Sequence, residues 1–124
     1  MQASLKQTER LFRNAFHQTF QLSSLLTPAG LILEDNQTAL NFCKLDRAET
    51  LGLRFADLHC WQISPEVTQK LEESVRAAAE GQTIRYETDI WDPQSNIITI
   101  DFSIKPSFDE AGQVEFLIAE GRDI

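Results

Sequence analysis

The chain has 124 residues, of which 42 % are apolar and 24 % are charged, and its formal net charge is −8. This length and composition are typical of one globular domain and argue against a disordered chain. Lys and Arg form no cluster that could neutralise phosphates, which argues against a nucleic-acid partner. No apolar run approaches the roughly 20 residues that cross a bilayer, and no signal peptide is seen. Cys43 and Cys60 fit free thiols in a reducing compartment, so we expect a cytoplasmic domain.

The first predicted element is an N-terminal helix over residues 4–18. Ser4 suits the N-cap position. The apolar side chains recur at helical spacing and form a wide stripe: Leu5, Leu11, Phe12, Ala15 and Phe16. Because this stripe is wide, we expect the helix to bury itself against the sheet or against a second copy of itself.

A β-hairpin is predicted next, with strands over residues 20–27 and 31–35 joined by a Pro-Ala-Gly turn. Proline presets the turn and glycine tolerates a positive φ, so the connection is tight. Asn36 then predicts an N-cap for a short helix that ends at Cys43.

Helical segments fill the middle of the chain. Short helical turns are expected at residues 46–51 and 55–61. Ser64 followed by Pro65 predicts the start of a long helix, since Ser caps and Pro fits the first helical position. Gly81 ends that helix.

The last third of the chain predicts three consecutive strands, over residues 83–90, 97–105 and 114–119, joined by turns rich in Asp, Gly, Asn and Pro. Alternation gives these strands one apolar face. On that face lie Ile84, Tyr86, Thr88 and Ile90 of the first strand and Ile98, Ile100, Phe102 and Ile104 of the second. Strands at both ends of the chain with helices between them predict an α+β fold, one antiparallel sheet with helices covering one face.

Four local patterns occur in order along the chain. They are TPAGLILEDN at residues 27–36, LGLRFADL at 51–58, DEAGQV at 109–114 and GRDI at 121–124. In the same order they resemble four features of the PAS domain family: the first hairpin with its helix, the LG-x-x-F-x-x-L passage, the last hairpin turn, and the start of the terminal DIT motif. The resemblance covers roughly residues 20–124.

The resemblance implies a five-stranded antiparallel sheet with helices on one face that enclose a small core or pocket. It implies a flanking helix over residues 1–19 and a PAS domain over residues 20–124. It further implies a non-catalytic sensory or interaction domain of a signalling protein such as a histidine kinase. A ligand or partner would bias its conformation, and Asp123 and Ile124 would pass that bias into a helix beginning near Asp123 and a C-terminal output domain. We therefore expect this sequence to be a sensory part separated from its output.

The candidate pocket has an aromatic and aliphatic lining contributed by both layers. The predicted ligand-binding residues are Phe42, Trp61, Tyr86, Ile100 and Phe102. A fully packed core with no room for a ligand is an equal alternative.

Flavin and haem are not expected, and the cofactor stays unknown. In flavin-binding relatives a reactive Cys is flanked by Asn and Arg, whereas residues 58–63 read LHCWQI around Cys60. Haem-binding relatives carry a ligating His on the long helix, which has none here, and His59 lies upstream of it. The two Cys and two His have unrelated spacings, which argues against zinc.

Two alternatives come from other classes of protein. The stripe on residues 4–18 favours a structural homodimerisation module with a filled core, paired through the N-terminal helix. A small α+β enzyme would need a base, Asp101 or His59, with a shifted pKa in a cavity. Because no nucleophile elbow, phosphate loop or metal signature occurs, we expect no catalytic residues and no metal ligands.

Overall fold

The computed structural model describes residues 4–124, which contain one antiparallel sheet and a layer of helices. The strands are β1 (Leu22–Leu26), β2 (Ile32–Asp35), β3 (Ile84–Trp91), β4 (Ile97–Phe108) and β5 (Val114–Asp123). The helices are α1 (Leu5–Gln18), α2 (Gln37–Cys43), α3 (Arg47–Thr50) and α4 (Pro65–Ala79), with two 3₁₀ turns at Phe55–Asp57 and His59–Trp61. Within the described residues the strand order is β2-β1-β5-β4-β3. The predicted fold class is therefore confirmed.

Pairing of β1 with β5 joins the early hairpin to the late strands. Leu22 lies opposite Gly121, and Leu26 lies opposite Leu117. Because β5 also pairs with β4, the first and last thirds of the chain form a single layer.

Side-chain caps begin the helices at the positions that the sequence predicts. Ser4 Oγ accepts a hydrogen bond from the backbone N–H of Gln7, and Ser64 Oγ accepts one from that of Val67. Asp46 forms a capping box at the start of α3. Each cap satisfies an N–H group that the helix itself leaves free.

The two tight turns that join the last three strands have the same hydrogen-bond pattern. In each turn an aspartate Oδ1 accepts hydrogen bonds from the backbone N–H groups two and four residues later. The acceptors are Asp92 and Asp109. This Asx geometry explains why the turn residues predict these connections well.

Several strand ends differ from the prediction. β4 continues past Lys105 to Phe108, and β5 continues past Ala119 to Asp123. Pro106 and Gly121 weaken the sequence signal for a strand, but antiparallel partners supply the pairing that holds them in the sheet. β1 begins later than predicted, and Phe20 is 99 % exposed.

The core lies between the inner face of the sheet and the helices, with Leu71, Val75 and Ala78 of α4 facing inward at helical spacing. α1 stands apart from it. None of its residues is buried, and Phe12 is 64 % exposed. The expectation that α1 buries itself against the sheet is wrong, whereas pairing with a second copy stays a prediction. No helix within residues 4–124 has the length and apolar character needed to cross a membrane. Residues 1–3 of the predicted flanking segment lie outside the described residues.

Candidate ligand-binding cavity

A cavity of about 40 Å³ lies between the inner face of the sheet and the helical layer. All five strands, α2 and both 3₁₀ turns contribute to its wall. A buried water needs about 10–15 Å³, whereas a cavity that binds benzene measures about 150 Å³. The cavity therefore holds a few water-sized groups in this conformation.

Four of the five predicted pocket residues lie in the cavity wall: Phe42, Trp61, Ile100 and Phe102. Tyr86 does not. Its ring packs edge-on against Phe102 with 5.5 Å between centroids, and the Lys70 Nζ lies 4.3 Å from its centroid on another side. Tyr86 therefore packs against Phe102, which lines the cavity, but does not line the cavity itself.

Trp61 brings an unused hydrogen-bond donor to the cavity wall. Its ring is 3 % exposed and meets the Phe102 ring edge-on, with centroids 5.0 Å apart. Its indole Nε1 has no hydrogen-bond partner within residues 4–124. Since a buried donor is normally paired, this unpaired N–H is unusual for a residue of the cavity wall.

Asp35 gives the wall a buried carboxyl group. It is 3 % exposed, and Ser24 Oγ donates a hydrogen bond to it. The Thr50 hydroxyl is a second neighbour. Burial raises the pKa of Asp35 above its ordinary value, because the two hydrogen bonds do not fully replace lost water.

Sequence reasoning missed Asp35 and Ser24 as wall residues. Alternation along β2 places Asp35 on the same face as Leu33, which is 42 % exposed. The pairing of β1 with β2 contains a bulge that leaves Leu33 without a partner, so Asp35 turns inward opposite Ser24. The one sequence signal for the inward position of Asp35 is that it directly precedes Asn36, the N-cap of α2.

Two free thiols complete the helical side of the wall. Cys43 is the last residue of α2, and Cys60 lies in the second 3₁₀ turn. Their side chains are hydrogen-bonding neighbours. No group of three or more His, Cys, Asp or Glu residues suited to a metal ion occurs within residues 4–124.

A family model described as PAS fold matches residues 23–124, which is most of the chain. This chain belongs to the PAS family. The sheet order and the helical layer over one sheet face agree with that assignment.

Relatives of this PAS domain occur in much longer signalling proteins. The sensor histidine kinase TmoS of Ectopseudomonas mendocina is 36 % identical over 124 residues, which cover 98 % of this chain and 13 % of that protein. The hybrid signal transduction histidine kinase D of Dictyostelium discoideum is 36 % identical over 107 residues, or 85 % of this chain and 7 % of that protein. This chain therefore spans a small part of the curated relatives that it matches.

A solved structure confirms the fold. The PAS domain of an HTR-like protein from Haloarcula marismortui superposes with a TM-score of 0.75 at 16 % identity, covering 97 % of this chain and 94 % of that one.

The last strand of the PAS domain connects the cavity wall to the predicted relay residues. Ala119 and Gly121 of β5 lie in the wall. Asp123 lies opposite Ile100 of β4, and the Ile124 N–H donates to the Thr99 carbonyl at 3.3 Å. Asp123 is still part of β5, and a helix that begins near Asp123 stays a prediction.

The two candidate bases of the enzyme alternative lie outside the cavity wall. Asp101 is on the outer face of the sheet, where the Arg85 Nε donates to it at 2.9 Å. This hydrogen bond, with Arg122 nearby, holds the pKa of Asp101 below its ordinary value. His59 is exposed and stacks on Trp91, with 6.5 Å between ring centroids. A cavity base is therefore not found at either predicted position.

Proposed function

We infer that this chain is the sensory domain of a signalling protein of the histidine kinase type. A small molecule in the cavity, or a partner that contacts the helical layer, biases the conformation of the domain, and β5 carries that bias to a C-terminal output domain. The observation that carries this proposal is the position of β5: Gly121 lines the cavity two residues before Asp123.

The size of the cavity defines how such a ligand would act. A ligand shifts a conformational equilibrium only by its difference in affinity for the two states. A molecule larger than about 40 Å³ must push the helical layer away from the sheet, so it binds the widened state more tightly. The wall is almost wholly apolar, so an apolar molecule matches this site best.

The proposal leaves the cofactor unknown and includes neither flavin nor haem, because residues 58–63 lack the Asn and Arg beside Cys60 and the long helix has no His. The proposal further assigns residues 1–19 to the flanking helix and residues 20–124 to the PAS domain. It places the domain in the cytoplasm, in keeping with the free thiols of Cys43 and Cys60. The domain itself catalyses no reaction in this proposal, since signalling depends on a change of conformation.

Xenon tests whether the cavity takes an occupant, because xenon is a single apolar atom. We expect amide chemical shifts of wall residues to change under xenon pressure in the wild type. Gly121→Val places two methyl groups toward Ile100 and removes the response, since an added Cβ already comes within 3.1 Å of the Ile100 Cδ1. Ser103→Val, on the outer face of β4, is the matched control and keeps the wild-type response. No shift at the wall in the wild type would contradict the proposal. Native mass spectrometry with an absorption spectrum of fresh protein then identifies any resident ligand.

A second candidate function is homodimerisation through α1. The observation in its favour is exposure: Leu5 and Phe12, on the apolar stripe of α1, are 84 % and 64 % exposed. Helices of this kind bury such a stripe against a partner. The solution mass of the protein, measured with and without residues 1–18, tests it. A dimer that becomes a monomer on truncation supports pairing, and a monomer in both forms rules it out.

A further inference from the structure

We propose that Cys43 and Cys60 are a dithiol site that reacts with hydroperoxides and closes to a disulfide within the chain. The proposal stands on placement. The two side chains come from different elements, contact each other, and line the same cavity. The disulfide itself does not depend on the proposed sensory function.

Solvent reaches both thiols in part. Both cysteines are partly exposed, unlike Trp61, which is next to Cys60 in sequence and nearly inaccessible. A small hydroperoxide reaches such a site, whereas a bulky protein disulfide does not. Because both side chains line one small cavity, closure within the chain is favoured over reaction with a second chain.

The two thiols are not equivalent. The hydrogen bond from Cys60 lowers the pKa of Cys43, although burial and the nearby Asp35 oppose this change. The same hydrogen bond raises the pKa of Cys60, and burial adds to it. Since the thiolate is the nucleophile, the proposal assigns the first attack to Cys43 and the resolving step to Cys60, and the serine variants below test this order.

The reaction is balanced in two steps. The Cys43 thiolate attacks one oxygen of a hydroperoxide ROOH, the O–O bond breaks, and the alkoxide takes up a proton, which leaves a sulfenic acid and ROH. The Cys60 sulfur then attacks the Cys43 sulfur, the S–O bond breaks, and the hydroxide leaves as water with the Cys60 proton. Two thiols and one hydroperoxide give one disulfide, one ROH and one water. Two electrons pass from sulfur to the peroxide, and a thiol reductant reverses the change.

The disulfide has a defined structural effect. It ties the end of α2 to the 3₁₀ turn that carries Trp61, so the helical side of the cavity is fixed. Oxidation would then act on the same cavity as a ligand does. This consequence alone rests on the proposed function.

Peroxide titration of the reduced chain tests the proposal. Protein purified without oxygen is treated with hydrogen peroxide, and intact mass and free thiols are measured. We expect the wild type to lose both thiols, with a mass decrease of about 2 Da and a Cys43–Cys60 cross-link on non-reducing peptide mapping. Cys60→Ser is expected to stop at a sulfenic acid on Cys43, which dimedone traps. Cys43→Ser is expected to keep the Cys60 thiol at the same peroxide dose.

Three results would overturn the proposal. They are both thiols surviving a dose that oxidises free glutathione, a disulfide between two chains, and a sulfinic acid on one cysteine while the other thiol is intact. The wild-type result decides alone if a serine variant fails to fold, which circular dichroism detects. Xenon binding is measured separately on reduced protein, so failure of the dithiol site is distinguishable from failure of the sensory proposal.

Discussion

The two faces of the sheet place the same chemical group in opposite environments. On the inner face, burial raises the pKa of Asp35, which lies in the wall of an apolar cavity. On the outer face, Arg85 lowers the pKa of Asp101, which is solvated and paired. The contrast shows that the face of the sheet, more than the residue type, decides the direction in which the pKa of an aspartate shifts. The inner face supplies a cavity that can respond to an occupant, and the outer face supplies a polar surface.

The largest expected difference is between a buried and an exposed phenylalanine of β4. Phe102 is 1 % exposed, whereas Phe108 on the same strand is 53 % exposed. We expect Phe102→Ala to lower the free energy of unfolding by about 3–5 kcal/mol, because it leaves a cavity in the core. Phe108→Ala is the matched control and should cost about 1 kcal/mol. Urea unfolding measures both, and equal losses would contradict the assignment of the inner face.

Two isoleucines of β4 allow the same comparison of a buried and an exposed position with a smaller expected effect. Ile100→Val enlarges the cavity by one methylene and should cost about 0.5–1.5 kcal/mol while strengthening xenon binding. Ile97→Val, at a position 58 % exposed, should stay within about 0.5 kcal/mol and leave xenon binding unchanged. Weaker xenon binding in Ile100→Val would argue against this wall.

The pH dependence of stability should differ in sign between Asp35 and Asp101. Between its ordinary value of 3.8 and its raised folded pKa, the folded state binds the Asp35 proton more tightly than the unfolded state. Stability therefore falls as pH rises through this window. Asp35→Asn removes that fall and raises the free energy of unfolding near about pH 7 relative to the wild type. Unfolding curves measured from about pH 4 to about pH 7 test this, and an unchanged profile would refute a desolvated Asp35.

The smallest expected effect belongs to Asp101. Because its folded pKa is lowered, its stabilisation is present above 3.8 and is lost as pH falls through the folded value. Asp101→Asn should remove this loss at acid pH, and added salt should weaken the difference since the ion pair is solvated. A salt-independent difference at neutral pH would place Asp101 in a buried site instead.

Local chemistry made much of the fold predictable. Ser4, Asn36 and Ser64 predicted helix starts because capping depends on residues three positions apart. Asp92 and Asp109 likewise predicted their turns. Alternation predicted which residues of β3 and β4 face the helices, and hence the part of the cavity wall that Ile90, Ile100 and Phe102 form.

Features that depend on distant contacts were not predictable. Asp35 turns inward because of a bulge in pairing with β1, which no pattern in β2 records. The contact between Cys43 and Cys60 requires the packing of α2 against a 3₁₀ turn. Alternation predicts Tyr86 in the wall, because it gives the face on which a side chain lies but not whether the side chain reaches the cavity. The partner of α1 is not encoded in α1 alone.

Benzene provides the most direct test of the claim that the cavity wall communicates with the end of β5. It is larger than the cavity of about 40 Å³, so it binds only if the helical layer moves away from the sheet. The measurement is amide hydrogen exchange with and without benzene, at Ile124, whose N–H donates to Thr99, and at Phe116 in the far half of β5. We expect a changed exchange rate at Ile124 and an unchanged rate at Phe116. No benzene binding, or binding at the wall with the Ile124 rate unchanged, would contradict it.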